Sequence, residues 1–192
     1  VLGILGIMIA IAAIVTRNRI DQKLKGLLST VILALVASNV FTLAYVILLI
    51  VQPDKWYEPQ YLIPLAGMLF GNMMNSASLA GDRLLNSIQH NRLEIETYLS
   101  LGATGKQAIA GYQREAIRTG LIPTLNNMVV MGLVSLPGML TGQVLGGSNP
   151  RDAASYQILI LFAIVLVNLM TTILITQGIY QGFFNQKEQL IQ

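Results

Sequence analysis

The chain has 192 residues, 54% of them hydrophobic and 11% charged, with a formal net charge of +3. That balance is too apolar for a single soluble domain and places the chain among membrane proteins. Lys and Arg are dispersed among short loops that flank apolar runs, which argues against a nucleic-acid surface. The absence of cysteine excludes disulfides, thiolate metal sites and cysteine nucleophiles.

A bilayer core of roughly 30 Å takes about 20 mostly apolar residues per helix. Five runs in the chain serve that purpose. The first, about 1–15, lacks a basic leading region and ends at Thr16-Arg17-Asn18-Arg19. It reads as the tail of a transmembrane helix in a chain that starts late, since the basic end of a signal peptide comes first. The second, 27–51, reaches roughly 37 Å as a helix and so has length to spare for tilt. The others are about 60–80, 121–141 and 156–176.

Orientation follows from the loops. Arg17, Arg19, Lys23 and Lys25 crowd the first, and Arg83, Arg92, Lys106, Arg114 and Arg118 lie in the long third one, 81–120. The excess of base assigns both to the cytoplasm, with the loops carrying Asp54, Lys55 and Glu58, and Arg151 and Asp152, outside and the tail with Lys187 inside. Trp56, Tyr57 and Tyr61 suit an interfacial aromatic belt.

The stretch 81–120 is the long polar one, and its periodicity is helical. Leu84, Ile88, Ile95 and Leu99 share a face. Gly102 interrupts the pattern, and Thr104 with Gln107 has the spacing of a capping box that restarts it. The expectation is two amphipathic cytoplasmic helices joined at Leu101 to Thr104, either resting on lipid headgroups or docking a cytoplasmic partner.

The fourth run is expected to begin a helix at Leu121-Ile122-Pro123. It carries Asn126 and Asn127 in its inner half and is predicted to break at Ser135-Leu136-Pro137-Gly138, because proline removes a backbone hydrogen bond and clashes with the preceding turn. Such a break inside a bilayer is tolerated only where protein or a water-lined cavity satisfies the backbone, so it marks either a translocation path or a buried kink. Asn72 and Asn75, three apart, share a helical face and are path candidates or interhelical hydrogen-bonding groups. Gly67 and Gly71, and Gly138, Gly142 and Gly146, recur every four residues, a spacing that lets helix backbones or a second copy approach closely. Met68, Met73, Met74, Met128, Met131 and Met139 read as packing residues. His90 is the sole histidine, no serine with a base partner stands out, and Gly105-Lys106 is followed by Gln107 where a phosphate loop needs Ser or Thr, so neither a hydrolase site nor an ATP site is legible.

Four blocks carry a family resemblance: Gly71-Asn72-Met73-Met74-Asn75, Leu99-Ser100-Leu101-Gly102-Ala103-Thr104, Leu121-Ile122-Pro123-Thr124, and Gly132-Leu133-Val134-Ser135-Leu136-Pro137-Gly138-Met139. In order and spacing the chain from about Thr30 to Gln181 resembles the FetB-like ABC transporter permeases, whose bacterial members are described as iron exporters and whose plant relatives are aluminium-tolerance permeases. The resemblance implies an all-α, polytopic transmembrane helix bundle with a cytoplasmic amphipathic coupling-helix pair, forming one permease domain over 1–192 that lacks N-terminal segments. It implies a multi-pass protein of the inner or plasma membrane, a permease homodimer paired with a separate cytoplasmic ABC ATPase, no catalysis by this chain, and no cofactor in it, ATP and Mg being bound by the ATPase. Under that resemblance Glu96, Leu101, Gly102, Ala103 and Thr104 would fall in the ATPase-coupling segment; the residues themselves, through the expected break and the shared polar faces, make Asn72, Asn75, Asn126, Asn127, Ser135, Pro137 and Gly138 the candidates for the translocation path. Iron, another metal, a metal chelate and a nucleotide sugar all stay open as cargo, as does the alternative of a passive channel or structural subunit.

Overall fold

In the computed structural model, residues 2–20, 27–51, 59–132, 137–185 and 189–190 are described. Helix follows helix along them: α1 (Leu2–Arg19), α2 (Leu27–Tyr45) closing in a π-helical turn (Val46–Val51), α3 (Pro59–His90), α4 (Arg92–Ser100), α5 (Gly105–Val130), α6 (Gly138–Leu145) and α7 (Pro150–Phe183). Among the described residues no strand forms, and the fold is all-α. Residues 28–48 and 150–183 are each long and apolar enough to cross a membrane, with mean hydropathies of 2.4 and 2.9.

α3 is the central element and packs on α1, α2, α5 and α7. Its inner stripe, Leu69, Met73, Ala77, Ala80, Leu84 and Ile88, advances by three or four residues a step, the period that keeps side chains on one face, and every member is at most 1% exposed. α7 answers with Ile160, Ala163, Val167, Ile175 and Ile179, all buried in the same core. Close approaches fix the register. A Cβ on Gly120 would lie 2.8 Å from the Ser76 carbonyl oxygen and 3.0 Å from the Ala80 Cβ, and one on Gly178 would lie 2.1 Å from the Thr30 Cγ2. Gly71, Gly138 and Gly142, members of the sequence's small-residue stripes, have no such neighbour within 4 Å, while Gly67 receives the Met8 Cε at 3.1 Å.

Two sequence expectations are corrected. The helix expected to begin at Leu121 to Pro123 begins at Gly105 and runs through Pro123. Pro123 lacks only the bond its N–H would have made to the preceding turn, and Gly120 and Thr124 beside it are buried against neighbouring helices, so packing holds the helix together across the gap. α3 runs on from the expected span 60–80 into the polar stretch as one helix that ends at His90. The predicted interruption of the fourth run is present but starts earlier. α5 stops at Val130, Met131 is extended (ψ 130°), Gly132 takes a left-handed φ of 86°, and α6 opens after an extended Pro137. Ser135 and Leu136 lie outside the described residues, as do Trp56 and Tyr57.

Candidate functional site

The groove between α1 and α5, floored by α3, is the first feature of interest. Met8 meets Gly67 and Ile20 meets Gly81, so α1 and α3 run parallel and Arg19 lies level with about Ala80. The Arg19 guanidinium nevertheless donates to the Asn75 Oδ1, more than a helical turn farther along toward the start of α3. Arg19, Asn75, Ser78, Leu79, Asp82 and Pro123 line a cleft of ≈ 440 Å³. On α3 its floor continues a stripe of small and polar residues, Gly71, Asn75, Ser78, Asp82 and Asn86, spaced four, three, four and four apart, which is one helical face. Asp82 Oδ2 accepts from Asn86 Nδ2 at 3.0 Å, and Ser78 Oγ donates to the Met74 carbonyl at 2.8 Å. On α5 Pro123 lines the cleft, while Asn126 and Asn127, three and four residues on, are exposed and lie outside its lining.

Of the other path candidates, Asn72 turns back into its own helix, its Nδ2 donating to the Met68 carbonyl at 2.8 Å. Pro137 and Gly138 start α6, which packs on α7, and Gly138 is exposed. The groove thus joins Asn75 to Arg19, Ser78 and Asp82, three residues that the sequence reading did not select. The spacing 71-75-78-82 was available to it, but the division at residue 80 between the span 60–80 and the polar stretch 81–120 kept the two parts of the stripe apart.

A second polar seam lies in the core. Asn168, Thr171, Thr172 and Thr176 of α7 are fully buried. Asn168 Nδ2 donates to Thr124 Oγ1 at 2.7 Å, Gln113 Nε2 donates to Thr176 Oγ1 at 3.3 Å, and the threonine hydroxyls bond carbonyls of their own helix. These bonds tie α5 to α7 across the buried face, where an unpaired amide or hydroxyl is expensive.

The corner at Leu101 to Thr104 is capped from both sides. Gly102 has φ 89°; its N–H donates to the Leu99 carbonyl, and the Ala103 N–H to the Tyr98 carbonyl, both at 3.0 Å. That bond pair is the Schellman ending, in which glycine accepts the left-handed conformation without a Cβ penalty. Thr104 then opens α5 with the reciprocal box: Gln107 N–H to Thr104 Oγ1 at 3.3 Å and Thr104 N–H to Gln107 Oε1 at 2.9 Å. Tyr112 donates to Glu94 Oε2 at 2.7 Å and clasps α4 to α5; partial burial, then that carboxylate, push its phenol up to about 12. Ile95 is buried beneath the corner, whereas Leu93 and Leu101 project at 82% and 80% exposure. Glu96 pairs with Arg92 one turn back at 2.8 Å and so belongs to the surface of α4.

Apolar helices that expose leucine, isoleucine and phenylalanine along their flanks, around a core with buried polar ties, define an all-α membrane protein. The chain belongs to the uncharacterised protein family UPF0014, which it matches over residues 1–184. A UPF0014 membrane protein of Synechocystis is 57% identical over 191 residues, covering 100% of this chain and 74% of that protein. The "Probable iron export permease protein FetB" of Escherichia coli is 38% identical over 143 residues, 74% of this chain and 55% of that one. The "Protein ALUMINUM SENSITIVE 3" of Arabidopsis thaliana is 34% identical over 158 residues, 82% of this chain and 57% of its own length. These relatives bear out the resemblance carried by the four sequence blocks. The chain therefore spans little more than half the length of the last two. No solved structure matches it.

Proposed function

We propose that this chain is the membrane-spanning permease of an ATP-driven exporter, acting as a homodimer with a separate cytoplasmic ATPase that docks at the Leu101 to Thr104 corner. The observation that carries the reading is the continuity of α5, which runs without a break from the capped corner to the wall of the groove at Pro123. At 1.5 Å per residue its 26 residues make a lever of about 39 Å. A push at the corner, stiffened by the Tyr112–Glu94 clasp, is delivered to the groove wall. A passive pore has no use for such a lever.

In this reading five segments cross the bilayer of the inner or plasma membrane, residues 81–120 lie in the cytoplasm, and ATP and Mg²⁺ are bound by the partner. Within the third segment the exposed part of the polar stripe on α3, Gly71 and Asn75, faces outward, where hydrocarbon is a poor surrounding for the Asn75 amide. A second copy closing over it, opposite Gly71 and Asn75, would enclose a polar path. The printed name of the Escherichia coli relative supports iron as the cargo and export as the direction.

Leu101→Asp tests the coupling. Leu101 is 80% exposed, so the change leaves the fold and membrane insertion intact. Transport and permease-stimulated ATP hydrolysis should both fall at least tenfold, since docking cores reject an unpaired charge. Wild-type transport by this variant would remove the corner from the mechanism.

A further inference from the structure

We infer that the groove of Arg19, Asn75, Ser78 and Asp82 receives an anionic, oxygen-rich organic ligand, of the hydroxycarboxylate type and free or as a metal chelate, in preference to a bare divalent cation. The inference rests on the permease reading and specifies the chemical form of the cargo that the path admits.

Three observations carry it. First, Arg19 ends a hydrophobic helix, a place from which a long cationic side chain ordinarily snorkels toward water. Here it reaches back along α3 to Asn75 and sets its positive charge inside the cleft. Asn75 accepts one N–H, and the remaining donors of the guanidinium fork suit a carboxylate, which it binds bidentately. Second, the cleft offers a single carboxylate, Asp82, and among the described residues no group of three or more His, Cys, Asp or Glu residues is placed to hold a metal. A bare divalent ion needs several N or O ligands and would also meet the Arg19 charge. Third, the remaining lining suits a ligand that carries hydroxyls as well as negative charge. Ser78 has spent its proton on Met74 and presents lone pairs, and Asp82 accepts, so a ligand hydroxyl finds partners beside the guanidinium. A volume of ≈ 440 Å³ lies within the range of small-molecule sites.

A lipid phosphate shares the anionic chemistry, and the test separates the two sources. The full-length protein with its ATPase is placed in nanodiscs of phosphatidylcholine alone or with phosphatidylglycerol, and retention of radiolabelled citrate, of iron-55 as ferric citrate and of anaerobic iron-55 as Fe²⁺ is measured without nucleotide. Citrate and ferric citrate should be retained and should compete, in both lipids, and Fe²⁺ should not. Arg19→Gln should weaken citrate by about tenfold to a hundredfold, the worth of a charge-assisted hydrogen bond, and Arg19→Lys should recover part of the loss. Retention of Fe²⁺ but not of citrate, or citrate binding indifferent to Arg19→Gln, would overturn the inference. Citrate retention that vanishes with phosphatidylglycerol would assign the groove to lipid phosphate and would overturn it too. Because nucleotide is absent, these failures leave the permease reading in place, which the Leu101→Asp result tests separately.

Discussion

A methyl group at position 120 would press on a backbone carbonyl at 2.8 Å, with Thr172 Cγ2 at the same distance on the other side, and neither helix can yield without moving the rest of the core. Gly120→Ala should therefore destabilise the protein by about 1–3 kcal/mol, the range for overpacking. Gly71→Ala, with open space around its new methyl, should be neutral or gain up to about 1 kcal/mol of helix propensity. Thermal unfolding of the two purified variants beside wild type checks both, and equal melting temperatures would refute the assigned register. The contrast also shows what a sequence conveys at this scale. The four-residue recurrence of Gly67, Gly71, Gly138 and Gly142 is visible in the letters, but which glycine a neighbour touches depends on the register of the opposing helix, and no spacing within one helix encodes that. Thr176 of α7 was illegible for the same reason, since it looks like an ordinary apolar-run threonine until Gln113 is brought against it.

Elements are written more plainly, because their ends depend on local chemistry. Thr104 and Gln107 announced the capping box, and Gly102 the stop before it. Replacing either cap should loosen the corner: Thr104→Ala by about 1 kcal/mol and Gly102→Ala by a similar amount, since φ 89° strains any side chain. Faster amide exchange at 99–107, with exchange at Leu84 to Ile88 unchanged, is the expected signature. The Tyr112 clasp makes a pH prediction. Its phenol is raised from an ordinary value of about 10 to about 12, so the stabilisation is fully present below about pH 10 and is lost as pH rises through about 12. Absorbance titration should find a tyrosine that ionises near pH 12, and Tyr112→Phe should remove it. Proline was the misleading letter. Pro137 marked a true break, yet Pro123, read as part of a helix start, lies inside a helix, because a helix packed along its other turns can bear the loss of one hydrogen bond.

At the scale of the whole molecule, the elements combine into an orientation with two opposite readouts. α1 and α3 run parallel and α5 antiparallel to α3, so the α3–α4 turn at Asn91 and the α6–α7 turn at Ser148 should emerge on opposite faces of the membrane. Basic residues decide which is which: Arg83, Arg92, Lys106, Arg114 and Arg118 surround the first turn, whereas Arg151 near the second is offset by Asp152. These 192 residues contain no cysteine, so single substitutions report cleanly. Ser148 is exposed in the turn closed by Gly147, and Asn91 adjoins the exposed His90 and Arg92, so a polar maleimide can reach each site without disturbing the core. In sealed cells Ser148→Cys should label and Asn91→Cys should not; after permeabilisation both should. Reversed labelling would invert the protein and carry the Leu101 to Thr104 corner away from any ATP, against the coupling proposed for it. Labelling of both in sealed cells would mean that α3 to α7 do not cross as described, and the polar groove would then have no membrane to traverse.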